Sequence, residues 1–285
     1  MRIAFTIIYN GKHHLLHNSF ASDMIANFDY WVIVEGAAQN GGSTAWCNSH
    51  TGGVHSDDGT VEYITELAKN NKNVIIVLNN RKWKSKDEQV NAAITEVKAL
   101  TNKCWLWQVD ADEQWTLNAI EQNEAFMEYW DVDTGLVSFD HYVGEGLIAV
   151  GEWGSGVHKR IWKWSGQRFL SHEPPVLESE QREVVCPYGY KHYSYYFEQD
   201  VRFKAEYYKG HESVYSGWKY LKDHRDELIF PVHIKMLFGN KGIGLSKTKI
   251  IETNEKEKNQ TTTEKLPEPQ VRFMEPVMGN NGIEA

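Results

Sequence analysis

Trp105-Leu106-Trp107-Gln108-Val109-Asp110-Ala111-Asp112-Glu113-Gln114-Trp115 is an apolar run that stops abruptly in three carboxylates. The aromatic and branched residues of 104–109 predict a buried strand, which delivers Asp110, Asp112 and Glu113 to its carboxyl end. Residues two apart in extended backbone point the same way, so Asp110 and Asp112 share a side. Two carboxylates held together repel unless a cation lies between them. Hard ions such as Mg2+ or Mn2+ take oxygen ligands and substrate phosphate oxygens together, and a metal-bound diphosphate follows from that chemistry. A D-x-D triplet alone is more often an ordinary acidic turn, and its place behind a buried strand is what favours the metal.

Upstream of this stretch the pattern alternates. IAFTII (3–8) reads as a first buried strand, followed by a helix-like segment through Leu15, Leu16 and Phe20, and YWVIV (30–34) reads as a second strand. A long Gly-, Asn- and Ser-rich loop follows, from Gly36 to Gly59. Next come a helix over 60–69, a strand VIIVL (74–78) and a helix over 86–100 with Val90, Ala93, Ile94 and Val97 inward. Such alternation predicts a mostly parallel central sheet covered by helices on both faces, with ligands gathered beyond the strands' carboxyl ends. Beyond residue 115 the order changes to one helix (119–129) and then strand-like 135–142, 156–164 and 167–170, separated by Gly-rich turns. That half reads as α+β, with a further helical segment at 201–209. The divisions expected are 1–115, 116–250 and a polar tail or strap over 251–285, where apolar residues are sparse.

The chain has 285 residues, 41% hydrophobic and 24% charged, which is ordinary globular usage and excludes disordered, collagenous and membrane-dominated chains. A net charge of −9 argues against coating nucleic acid and requires local cations or a metal for any anionic ligand. Cys47, Cys104 and Cys186 are far apart and lack C-x-x-C spacing, so reduced thiols are expected. The apolar run at the N-terminus is too short for a signal-peptide core, and no run approaches the roughly 18 residues of a membrane span. A soluble cytoplasmic protein without a transmembrane segment is the expectation. The 11 Trp residues suit core packing and sugar stacking alike.

Asp110-Ala111-Asp112, with Glu113 behind it, resembles the D-x-D motif of the GT-A fold glycosyltransferases, particularly the family 2 type, and the resemblance extends over about residues 1–212. It implies a Rossmann-like half that binds a nucleotide-diphosphate sugar, with a uridine donor the commonest in the fold. Mn2+ or Mg2+ would sit on Asp112 and Asp110, and a late His, best matched by His192 and next by His211, would complete the coordination. Asp110 would also approach the donor's ribose or sugar. Further donor contacts would come from Tyr9 after the first strand, Glu35 after the second, Lys86 and Gln89 behind the Lys82-Trp83-Lys84-Ser85 stretch, and Lys204. On the acceptor side the resemblance points to Arg160, His172 and Trp115, with Glu173 as the catalytic base and Asp140 or Glu152 as alternatives.

A base is needed because an attacking hydroxyl must lose its proton as the new bond forms. Each of these residues also has a plainer reading: Glu35 as a loop carboxylate, Lys86 as a solvated helix start, Glu173 as an ion-pair partner of Arg160, His192 as a packed core imidazole. The activity implied is transfer of a hexosyl or N-acetylhexosaminyl group to a glycan or other hydroxyl acceptor, with inversion expected; retaining transferases share the fold without an obvious protein base, and the sequence leaves that alternative open. Two other classes compete. A nucleotidyltransferase of related fold would carry a Gly- and basic-rich loop straight after the first strand, where this chain has Ile8-Tyr9-Asn10-Gly11-Lys12-His13. A non-catalytic nucleotide- or carbohydrate-binding module would explain the aromatics but not the acidic turn. Trp31, Trp105 and Trp107 fall on predicted strands, whereas Trp83, Trp115, Trp153 and Trp162 fall near the proposed loops and are the candidates for stacking on a sugar.

Overall fold

The computed structural model describes residues 1–39, 53–151, 156–173, 175–179, 181–207, 212–223, 232–233 and 243–247. Four strands form its parallel half: β1 (Arg2–Ile8), β2 (Tyr30–Glu35), β3 (Val74–Val77) and β4 (Cys104–Gln108) lie in the order β4-β1-β2-β3, every neighbouring pair parallel. Their near-continuous apolar runs are explained by burial on both faces. Ala4, Trp31, Ile33 and Trp107 point to one side, under α2 (Phe20–Asn27), α3 (Thr60–Asn70) and α5 (Leu117–Tyr129). Ile3, Phe5, Val32, Val34 and Leu106 point to the other, against Val90, Ala93, Ile94 and Val97 of α4 (Lys86–Leu100). Helix α4 begins at Ser85, whose hydroxyl accepts from Glu88 N, and α5 begins at Thr116, which accepts from Ala119 N, side-chain caps that close the open first turns.

The expected helix through Leu15, Leu16 and Phe20 is broken. A short α1 (Lys12–Leu15) is separated from α2 by Asn18 and Ser19, both at positive φ (46° and 62°), and the break leaves Leu16 exposed.

The second half continues the same sheet with antiparallel strands. Strand β8 (Val157–Trp164) runs antiparallel to β4, Trp107 opposite Ile161, and β6 (Thr134–Tyr142) lies on its far side. The path ends through β7 (Leu147–Gly151), β14 (Ile243–Lys247) and β13 (Val232–His233). Two short strands finish the edge above the acidic turn: β5 (Glu113–Gln114) pairs with β12 (Tyr190–His192), which also lies parallel to β6. Helices α6 (Glu198–Tyr207) and α7 (Glu212–Asp223) pack beyond β7 around Val201, Val214 and Trp218. This curled mixed sheet with flanking helices is the α/β architecture expected, parallel in the first half and mainly antiparallel in the second. The tail 251–285 lies outside the described residues.

Candidate active site

The acidic turn is held from below. Val109 N donates to Phe5 O (3.0 Å), Thr6 Oγ1 donates to Val109 O (2.6 Å), and Glu113 N closes the turn on Asp110 O (3.0 Å). Because β8 is antiparallel to β4, it carries Arg160 directly to the turn. Arg160 Nε and Nη2 both donate to Glu113 Oε1 (2.9 and 2.6 Å), and Nη2 also reaches Asp110 Oδ2 (2.9 Å). Asp110 accepts further from Gln108 Nε2 at 3.2 Å. The contact of Arg160 with Asp110 has a charge-assisted distance. Burial pushes the Glu113 carboxyl up to about 7 against the pull of Arg160. Burial also opposes the guanidinium's charge, yet Glu113 and Asp110 hold its pKa well above the ordinary value. Arg160 was expected to meet the acceptor. Instead it is buried beneath the turn, because two carboxylates there need its charge.

Asp112 has different partners. Its backbone oxygen accepts from Tyr193 N (2.7 Å), and the β5–β12 pairing brings His192 Nε2 to 3.4 Å from its Oδ2. Burial works against its charge, but His192, and then His14 and Lys204, outweigh it and hold the carboxyl well below the usual range. His192 Nδ1 is buried without a protein partner. Lys204 on α6 donates to Ser194 O and lies over the Tyr195 ring, 4.5 Å from its centroid. Burial lowers its pKa, against the pull of Asp112 and Asp200.

On the Asp110 side, Lys86 Nζ stands 3.1 Å from Glu173 Oε1, so Glu173 pairs with Lys86 and not with Arg160. The Glu173 side chain is 44% exposed. Burial works against the Asp110 carboxylate, but Arg160 and Lys86 bring its pKa below the ordinary value. His172 lies inward, its backbone N–H donating to Asp87 Oδ1 (2.8 Å), and burial keeps its imidazole down to about 3. The fold therefore gathers Lys86, His172 and Glu173 near Asp110, and His192 and Lys204 near Asp112.

Several expected contacts are spent elsewhere. Glu35 is fully buried and accepts from His55 Nδ1 (2.7 Å), Ser56 N (2.7 Å) and Ser56 Oγ (2.8 Å), so it anchors a loop and does not face a donor. Gln89 is buried too, donating to Gly36 O at 2.8 Å. Tyr9 packs on Ala37. Trp115 is 5% exposed, stacked on Tyr190 and edge-on to Trp107, while Trp83 is likewise buried and Trp162 is fully so. None of these three indoles offers a face for a sugar, because each fills the space between sheet and covering elements. Asp140 is exposed on β6, opposite Lys191 of β12. Glu152, Trp153 and His211 lie outside the described residues. Cys186 is buried and Cys104 half-buried, both free, and burial pushes both thiols up to about 12.

Sequence reasoning missed His14, whose only signal was the His13-His14 pair, and His158, whose Nδ1 lies 2.5 Å from Tyr190 Oη.

Residues 55–170 match the family described as glycosyl transferase family 2. Over that stretch, 116 of the 285 residues, the chain is similar to the glycosyl transferase family 2 enzymes. The matched stretch runs from His55 through the acidic turn into β9 (Phe169–His172), so it contains the D-x-D triplet, Lys86 and Arg160.

Among solved structures, the chain is similar to S. aureus TarS 1–349 at 14% identity and TM-score 0.44, over 79% of this chain and 72% of that one. The complex of TarS 1–349 with UDP-GlcNAc matches at 13% identity and TM-score 0.41, over 79% and 73%. The Francisella tularensis cytidylyltransferase IspD matches at 9% identity and TM-score 0.31, over 80% and 82%. At these scores the structural likenesses add nothing to the assignment. No curated protein matches the chain in sequence. Among its described residues, no helix is long and apolar enough to cross a membrane.

Proposed function

We propose that this protein is a metal-dependent glycosyltransferase that moves a sugar from a nucleotide-diphosphate donor to an acceptor hydroxyl with inversion at the anomeric carbon. The observation that carries the reading is the split of the acidic turn. Arg160 neutralises Glu113 and one side of Asp110, which leaves Asp112, 22% exposed and beside His192, directed at the sheet edge where ligands gather. Asp112 and His192, 3.4 Å apart, would hold a borderline ion such as Mn2+, and Asp110 would have to move closer to join them, since the three ligand atoms do not converge within 4.8 Å. Once bound, the metal would stabilise charge building on the departing diphosphate.

The chain's own residues supply the rest. Lys204 and Lys86 place positive charge on the two sides of the turn, offsetting an anionic donor in an acidic protein. Glu173, solvent-facing beside Lys86, accepts the hydroxyl proton as that oxygen bonds to the anomeric carbon and the bond to the diphosphate breaks. His172, held neutral, lies behind Glu173 and shapes the acceptor side.

UDP-GlcNAc, bound in one of the TarS structures, is the first donor to try with Mn2+. Asp112→Asn is expected to abolish Mn2+-dependent donor binding and turnover. Glu173→Gln should keep binding and lose about 10²- to 10⁴-fold in kcat. Full activity in Asp112→Asn overturns the metal role, unchanged kcat in Glu173→Gln moves the base elsewhere, and a retained anomer in the NMR spectrum of the product overturns inversion.

A further inference from the structure

We propose that His13, His14 and Asp200 form a second metal site, separate from the acidic turn, that takes a divalent transition ion of the Zn2+ and Co2+ kind and pins α6 to the segment after β1. The three side chains come from opposite ends of the described chain, 187 residues apart, and converge on one point. His13 Nε2 lies 3.0 and 3.1 Å from the two oxygens of Asp200, and His14 Nε2 lies 2.9 Å from Oδ2. All three candidate ligand atoms lie within 4.8 Å of one another. Ligands bound at about 2.1 Å and set tetrahedrally on one ion stand roughly 3.4 Å apart, so the group needs only a small opening to close on a metal.

The surroundings suit an ion. Side-chain exposures are 20% for His13, 11% for His14 and 15% for Asp200. Phe197 meets both imidazoles edge-on at 5.0 and 5.2 Å and limits how far either ring can turn. Burial opposes charge on Asp200, but hydrogen bonds from His13 and His14 bring its carboxyl down to about 2, so it is an ionised ligand at neutral pH. Two imidazoles and one carboxylate make a more nitrogen-rich set than Asp110, Asp112 and His192, and nitrogen ligands favour zinc, cobalt and nickel over magnesium. The two sites therefore sort different ions.

The consequence for the enzyme is positional. Lys204 lies one turn after Asp200 on α6, on the same helix face, and acts on Asp112. An ion on Asp200 would fix the start of that helix and with it the distance between Lys204 and the acidic turn.

The test uses the full chain, stripped with chelator, and Co2+ as a spectroscopic probe. Asp112→Asn serves as the background, so that the result does not depend on the proposed donor site. One equivalent of Co2+ with visible d–d absorption is expected in that background. Adding His14→Ala or, separately, Asp200→Asn should weaken it by more than about 100-fold, since outer-shell partners alone are worth about 10- to 100-fold. Thermal unfolding of the same variants without metal checks that they remain folded, and Zn2+ should raise the parent's Tm and leave theirs unmoved. No stoichiometric Co2+ in the Asp112→Asn background, or binding unchanged by both added substitutions, overturns the proposal.

Discussion

Arg160→Met removes the guanidinium from beneath the acidic turn while keeping most of its volume. Arg160 is 8% exposed and Glu113 fully buried, and three hydrogen bonds run from the guanidinium to Glu113 and Asp110. Removing one partner of a buried pair costs about 3–5 kcal/mol, because the other charge stays behind without compensation. That cost should depend on pH in a definite direction. The Glu113 carboxyl sits at about 7 in the fold against 4.5 as a free side chain, so its own contribution is complete below about 4.5 and lost as pH rises through 7. Without Arg160 the carboxyl rises further. At pH 5 it is protonated, and the loss falls toward the roughly 1–3 kcal/mol of unmade hydrogen bonds. At pH 8 the variant must bury an unpaired charge or hold a proton against the solution, and the full deficit returns. Equilibrium unfolding in urea at pH 5 and pH 8, on chelator-treated protein, measures both values. Arg160→Met combined with Glu113→Gln should recover part of the pH 8 loss, with a coupling of about 0.5–3 kcal/mol. A single variant within about 0.5 kcal/mol of the parent at pH 8, in the range of a neutral surface change, would refute the reasoning. So would a deficit that shrinks as pH rises.

Two further outcomes follow from packing and burial. Gly135→Ala would place a methyl 2.8 Å from Met127 Sδ, 2.9 Å from Cys186 Sγ and 3.2 Å from Ile161 Cβ, so overpacking should cost about 1–3 kcal/mol; an unchanged Tm would contradict that close approach. His158, beside Tyr190, Arg160 and His192, is pushed down to about 3, chiefly by burial. Its contribution is therefore full above about 6.5 and lost as pH falls toward 3, at up to about 1.4 kcal/mol per pH unit. His158→Gln should flatten the stability profile between pH 6.5 and 4, and a profile as steep as the parent's would count against a neutral, buried imidazole.

The parallel half of the fold was legible because its signal is local. Continuous apolar runs marked β1, β2, β3 and β4 to within a residue or two, and the 3.6-residue period marked α3 and α4. The helix break at Asn18 and Ser19 was not legible, since it depends on two positive φ values that no periodicity carries. At the site, the sequence placed Asp110 and Asp112 at the end of a buried strand, and the short β5–β12 pairing puts His192 beside Asp112. The roles expected of Glu35, Gln89, Arg160 and Trp115 could not be read in the same way. Each lies near the expected region, but its side chain is committed to a partner that sequence spacing does not reveal: Ser56 for Glu35, Gly36 O for Gln89, Glu113 for Arg160 and Tyr190 for Trp115. Position along a strand follows from local pattern; the choice of partner is made by the assembled sheet.

Arg160 follows Glu113 by 47 residues, and that interval is also a time. At about 5–20 residues per second a ribosome needs roughly 2–9 s to synthesise it. During that interval the four parallel strands have been synthesised, while the carboxylates at the end of β4 lack the counter-charge that lets them be buried. The parallel half thus waits on β8 before its most acidic turn can dock. In a nascent chain stalled before residue 160, that turn would remain open to solvent, and a protease cutting beside Asp112 would report the delay.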